Sequence, residues 1–131
     1  MFFTIDPSNG LAIYDQVVRQ VVFAVAAGSL QPGDMVPSVR ELARELAINP
    51  NTVARAYRQL QDDGVLQIVR GTGLAVADGA CRRCQAERLK LLRRRIQQVL
   101  LEAQQSRLDF AQLRALVESE LTAIKRQEEK P

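Results

Sequence analysis

Histidine is absent from the 131 residues, which removes imidazole acid/base chemistry, His-containing zinc sites and every Ser/His/Asp or Cys/His nucleophilic arrangement. Long apolar runs are missing too. The longest, Val21 to Ala27, has seven residues, against the roughly 18 or more needed to cross a bilayer. The N-terminus Met1-Phe2-Phe3-Thr4-Ile5-Asp6-Pro7 lacks the charged, apolar and small-residue regions of a secretory signal. A cytoplasmic protein without membrane association is therefore expected. Cysteine is scarce: Cys81 and Cys84 sit too close together to staple distant parts of a small fold, and that compartment keeps thiols reduced. Neither internal repeats nor low-complexity tracts are visible. What remains, 47% apolar and 25% charged residues, is the composition of a globular protein with room for one compact domain and a modest appendage.

Charge is unevenly spread. Residues 1–78 carry six arginines against eight carboxylates, a balance of −2, while residues 79–131 carry twelve basic groups against seven acidic ones, a balance of +5. Bulk charge thus gives no reason to call the first part a nucleic-acid binder, and local placement has to decide.

The alternation Phe3-Thr4-Ile5 reads as a short strand, followed by the turn residues Pro7-Ser8-Asn9-Gly10. Apolar residues Ile13, Val17, Val21, Ala24 and Val25 recur at helical spacing and predict a helix over 11–27, ended by Gly28 and Pro32-Gly33. Ser38-Val39-Arg40-Glu41 has the form of a capping box and starts a second helix of about ten residues, with Val39, Leu42, Ala43 and Leu46 inward. Asn49 as cap and Pro50 at the first helical position start a third helix running to about Asp63. So short a connection between the second and third helices predicts the sharp bend of a helix-turn-helix. Val65 to Val69 and Leu74 to Val76 read as a hairpin around Arg70-Gly71-Thr72-Gly73. The expected fold is mainly α with a small β-wing: a winged helix-turn-helix over 1–78, its sheet completed by the N-terminal strand, then a helical dimerisation element over 79–131.

A helix about 10 to 12 Å across fits the major groove of B-DNA, where base edges are read by paired donors and acceptors. The third helix buries Val53, Ala56, Tyr57 and Leu60 and turns Asn51, Thr52, Arg55, Arg58 and Gln59 outward, with no acid between Asn49 and Gln61. At the hairpin, Arg70, Gly71, Thr72 and Gly73 offer a cation and a bare backbone to the adjacent minor groove. Glycines there also suit a plain tight turn, and two arginines also suit a solvated helix face. The combination is what favours DNA.

The residues Ile13-Tyr14-Asp15-Gln16-Val17, Gly28-Ser29-Leu30-Gln31-Pro32-Gly33-Asp34 and Pro37-Ser38-Val39-Arg40-Glu41-Leu42-Ala43 form an ordered series. It continues through Asn49-Pro50-Asn51-Thr52-Val53-Ala54-Arg55-Ala56-Tyr57, Leu60, Asp63-Gly64 and Arg70-Gly71-Thr72-Gly73. Over residues 3–77 this resembles the GntR family of bacterial winged-helix repressors. The short helical tail resembles the YtrA subfamily, whose members often control ABC-transporter operons. The resemblance places Arg40, Asn49, Asn51 and Thr52 at the family's DNA contacts, and Ser38, the cap beside Arg40, is counted with them in the expected DNA face. Ala54 stands where many members have the arginine that this chain carries one residue later, as Arg55, and Ala75 where the wing often has an aromatic residue.

In the tail, Leu89, Leu92, Ile96, Val99 and Ala103 make a heptad-like seam. Asp109 and Gln112, flanked by Leu108 and Leu113, start a further helix bearing Leu113, Leu116, Val117, Leu121 and Ile124. The seam either folds back on its own domain or pairs with a second copy. The second is favoured, with Leu89, Leu92, Ile96, Val99, Leu113, Val117, Leu121 and Ile124 at a homodimer interface. The Cys81/Cys84 pair is read as a helix entry ahead of half a thiolate metal site or a redox pair. The basic run Arg82 to Arg95 is read as a solvated face ahead of a phosphate or membrane contact. The reading is a transcriptional regulator of the repressor type, binding a palindromic double-stranded operator as a homodimer, with no enzymatic activity, cofactor or metal and with room for an unknown small-molecule effector. The alternative is a helical protein-interaction adaptor on the same scaffold.

Overall fold

The computed structural model describes residues 3–130. In chain order it has α1 (Ile13–Ala27), α2 (Val39–Leu46), α3 (Pro50–Asp62), β1 (Leu66–Val69), β2 (Gly73–Val76), α4 (Ala80–Gln105) and α5 (Phe110–Glu128). Two units are distinguished, one ending at Leu91 and one beginning at Leu92.

In the first unit, α1 buries Val17, Val21, Val22, Val25 and Ala26 along one face and ends at Gly28, whose φ of 84° is left-handed. Glycine takes this conformation without a Cβ penalty. These residues join Leu42 of α2, Val53, Tyr57 and Leu60 of α3, and Val65, Leu66 and Val76 around the hairpin in one core. Each large apolar side chain so buried contributes about 1.5–3 kcal/mol relative to exposure. The core continues past the expected break at Asp78: Ala80 and Cys84, in the first turns of α4, are fully buried, and Leu91 packs against the cluster.

The N-terminal segment is not a strand. Phe3 is buried and Ile5 half-buried, as the alternation suggests, but the backbone of the intervening Thr4 and of Asp6 is held by side chains of α1. Gln20 accepts from Thr4 N at 2.8 Å and donates to Thr4 O. The buried Gln16 accepts from Asp6 N at 2.8 Å and donates to Asp6 O and Leu11 O at 2.9 and 3.0 Å. A glutamine amide carries the same donor and acceptor as a peptide group, so it replaces the sheet edge. The place beside β2 is taken instead by Met35, bridged antiparallel to Ala75, with Val36 N donating to Leu74 O and Val76 N donating to Asp34 O at 3.0 and 2.9 Å.

The β1–β2 hairpin pairs Leu66 with Val76 and Val69 with Gly73. Between α2 and α3, Ala47 takes a left-handed conformation (φ 54°, ψ 45°) and its N–H bonds back to Ala43 O and Arg44 O.

In the second unit, α4 and α5 are joined by a turn with Arg107 at φ 62°. Asp109 and Gln112 make the full reciprocal capping box. Around the turn Leu100, Leu101, Leu108, Phe110 and Leu113 line an apolar cavity of about 560 Å³. No described residue of α5 is buried. Leu92, Ile96, Val99, Leu116, Val117, Leu121 and Ile124 are exposed, as is Leu89 in the first unit, while Leu113 is half-buried. Among the described residues no helix is long and apolar enough to cross a membrane.

Cys81 is partly exposed and Cys84 buried. Burial, with Cys81 and Glu87 nearby adding to it, pushes the Cys84 thiol up to about 11. A thiol reagent at pH 8 is expected to label one cysteine promptly and the second only in denaturant, as read by mass spectrometry; rapid double labelling of folded protein would contradict this packing. Because the unfolded thiol ionises nearer its ordinary value, the stability this group contributes is complete below that value and is lost as pH rises toward 11.

Candidate nucleic-acid interface

Two helix starts define the face. At α2, Ser38 Oγ accepts from Glu41 N at 3.1 Å, leaving Arg40 exposed in the first turn. At α3, Asn49 Oδ1 accepts from Asn51 N at 2.8 Å, and Pro50 occupies a position where no backbone donor is needed. At α3 the Thr52 amide is taken as well, donating to Asn49 O at 3.0 Å, so what the helix start offers an anion is the positive potential of the helix dipole. The first turn of α3 carries no acid.

The α2 entry is tied to the middle of α3 through the core. Tyr57 is buried on α3, and its hydroxyl donates to Pro37 O, just before the α2 cap, at 2.8 Å. Burial raises the Tyr57 phenol well above the ordinary tyrosine range, with the Glu41 and Glu45 carboxylates reinforcing the shift. The group therefore stays protonated and remains a donor.

On α3, Asn51, Arg55 and Arg58 are exposed and Thr52 half-buried. The Asn49 side-chain oxygen is engaged as the cap, and its amide N–H groups are donors for a partner. Arg55 lies over the ring of Tyr14 on α1, 4.9 Å from the guanidinium carbon to the ring centroid. Tyr14 was not among the residues expected from sequence, since no local pattern connects it with α3.

At the wing, Arg70, Gly71, Thr72 and Gly73 are exposed, and Thr72 N donates to Val69 O at 3.0 Å. A Cβ at Gly71 would meet nothing within 4 Å, so this glycine is required by its φ of 77°. Ser38, Glu41, Thr72 and Gly73 line one open cleft of about 810 Å³, which brings the α2 start and the wing together. Asn51, Arg55 and Arg58 do not line that cleft. Ala75 is buried between Gln67 on β1 and Met35, so a small side chain fits where the three backbone segments meet.

Comparison with known proteins agrees with this geometry. Residues 13–76 match the family described as bacterial regulatory proteins, gntR family. The HTH-type transcriptional repressor YtrA of Bacillus subtilis is 31% identical over 109 residues, covering 83% of this chain and 84% of that protein. Among solved structures, a GntR family transcriptional regulator from Listeria monocytogenes superposes with a TM-score of 0.65 at 28% identity, covering 88% of this chain and 98% of that one. YtrA from Sulfolobus acidocaldarius, a GntR-family transcription factor, gives a TM-score of 0.53 at 26% identity, covering 92% and 97%. Paired helix starts and a glycine-tipped wing on a scaffold shared with these regulators make this chain a member of the GntR family, a winged-helix, DNA-binding transcriptional regulator and not an enzyme.

Proposed function

We propose that the chain represses transcription by binding a two-fold symmetric DNA operator as a homodimer. In this reading Arg40, Asn51, Thr52 and Arg58 enter or border the major groove. Ser38 and Asn49 hold the helix starts on the phosphates. Arg70, Gly71, Thr72 and Gly73 lie along the minor groove. The observation that carries it is the bond from Tyr57 to Pro37, which fixes the entry of α2 against the middle of α3 and supports reading the two helices as one DNA-facing element. The seams of α4 and α5, exposed in the single chain, support pairing with a second copy. By its resemblance to the YtrA type, the operator belongs to an ABC-transporter operon, and the protein works in the cytoplasm.

Arg40→Ala tests the recognition surface, because Arg40 is exposed at the α2 start. If Arg40 makes a bidentate base contact, specific affinity should fall by about 1–3 kcal/mol, with little change on random duplex. Fluorescence anisotropy with a duplex from the chain's own promoter and a scrambled control reads the difference. Equal binding by wild type and an Arg40/Asn51/Thr52 triple-alanine variant would refute the assignment of this face, and failure of the wild type to bind DNA at all would favour the protein-adaptor alternative.

A further inference from the structure

Tyr14 engages two side chains on the exposed side of α3. Its ring lies under the Arg55 guanidinium at 4.9 Å, and its hydroxyl is 3.4 Å from Gln59 Oε1, one turn further along. Tyr14 itself is half-buried and packed against the core. The ring is thus fixed by packing, and the guanidinium is held by the ring.

We propose that Tyr14 is a positioning residue for DNA binding, holding Arg55 at the α1 edge of the recognition helix as a clamp for a backbone phosphate. The proposal rests on the DNA reading above. A guanidinium stacked on an aromatic ring keeps its N–H donors pointing outward in its own plane, the geometry that meets two phosphate oxygens. The same stacking draws the side chain toward α1, away from the line of Asn51 and Arg58 that faces a groove floor. Arg55 therefore adds affinity without reading sequence. An arginine already ordered in the free protein also loses less rotamer freedom on binding, an advantage of roughly 2- to 10-fold in affinity per immobilised side chain.

Full-length protein is titrated with the promoter duplex and with a random duplex over a range of salt. Arg55→Ala should weaken both duplexes by the same factor and lower the salt slope by about one per subunit. Tyr14→Leu should weaken both by roughly 2- to 10-fold, whereas Tyr14→Phe, which keeps the ring, should bind as wild type does. The double variant Tyr14→Leu/Arg55→Ala should be no weaker than Arg55→Ala alone. This cycle remains decisive even if Tyr14→Leu lowers the melting temperature, because a loss through unfolding would appear equally with and without Arg55. Additive losses, or an Arg55→Ala effect confined to the promoter duplex, would overturn the proposal. Wild type that binds neither duplex would instead overturn the DNA reading on which it rests.

Discussion

Replacing Ile96 and Val117 together with arginine is expected to convert the protein to a monomer and to lower its affinity for a two-fold symmetric operator by about 10² to 10⁴. Both side chains are more than 40% exposed in the single chain. They sit among Leu92, Val99, Leu116, Leu121 and Ile124, which are also uncovered. Monomers seldom leave so many large apolar groups in contact with water unless a partner covers them. Two guanidinium groups placed on a paired interface would have to be desolvated without counter-charges, a cost of several kcal/mol. Each winged helix would then bind a half-site alone, without the effective concentration that tethering supplies. Light scattering reads the mass and anisotropy the affinity. A variant that stays dimeric, or a monomer that still binds the symmetric operator tightly, would place the interface elsewhere.

A chain cut after Asp78 is expected to be largely unfolded, whereas one cut after Leu91 should melt cooperatively as a winged-helix monomer. The shorter cut removes Ala80 and Cys84, both fully buried, together with Leu91. It also removes the Arg83 guanidinium that donates to Gly64 O at 3.4 Å and the Leu91 carbonyl that accepts from Arg19 at 3.4 Å. Losing a large buried side chain and leaving a cavity costs about 2–5 kcal/mol, and here one half-buried leucine goes together with two small buried side chains and two hydrogen bonds. That is a large part of the roughly 5–15 kcal/mol that holds a domain folded. Circular dichroism melts of the two fragments check this. Equal melting temperatures would show that the domain ends at Asp78.

Features decided within a few residues are legible in the sequence, and features that join distant residues are not. The caps at Ser38, Asn49 and Asp109 are local, because each is decided by a side chain and an amide two or three residues away, and the breaks at Gly64 and Gly79 are local because a glycine there takes a positive φ. The buried face of α3 was legible for the same reason: helical spacing alone separates Val53, Ala56, Tyr57 and Leu60 from Asn51, Arg55 and Arg58. The fate of Phe3-Thr4-Ile5 was not, since alternation reports which residues turn inward but not what pairs with their backbone. Two glutamine amides on α1 take the backbone groups of Thr4 and Asp6, and nothing nearby in sequence announces it. The reach of the core into α4 and the stacking of Arg55 on Tyr14 were hidden likewise, because both join residues far apart in the chain.

The turn between α2 and α3 has a bearing on how this protein can drift. Ala47 sits at a backbone conformation that costs a side-chain-bearing residue roughly 1–2 kcal/mol. Glycine or asparagine there would relieve part of that, while valine, isoleucine or threonine would crowd the following carbonyl and open the angle between the two helices. The position touches no proposed partner, yet its permitted alphabet is short. A lineage copying this gene is therefore filtered at Ala47 by geometry alone, and a family-wide restriction at that position would record the shape of a bend and not the identity of any operator.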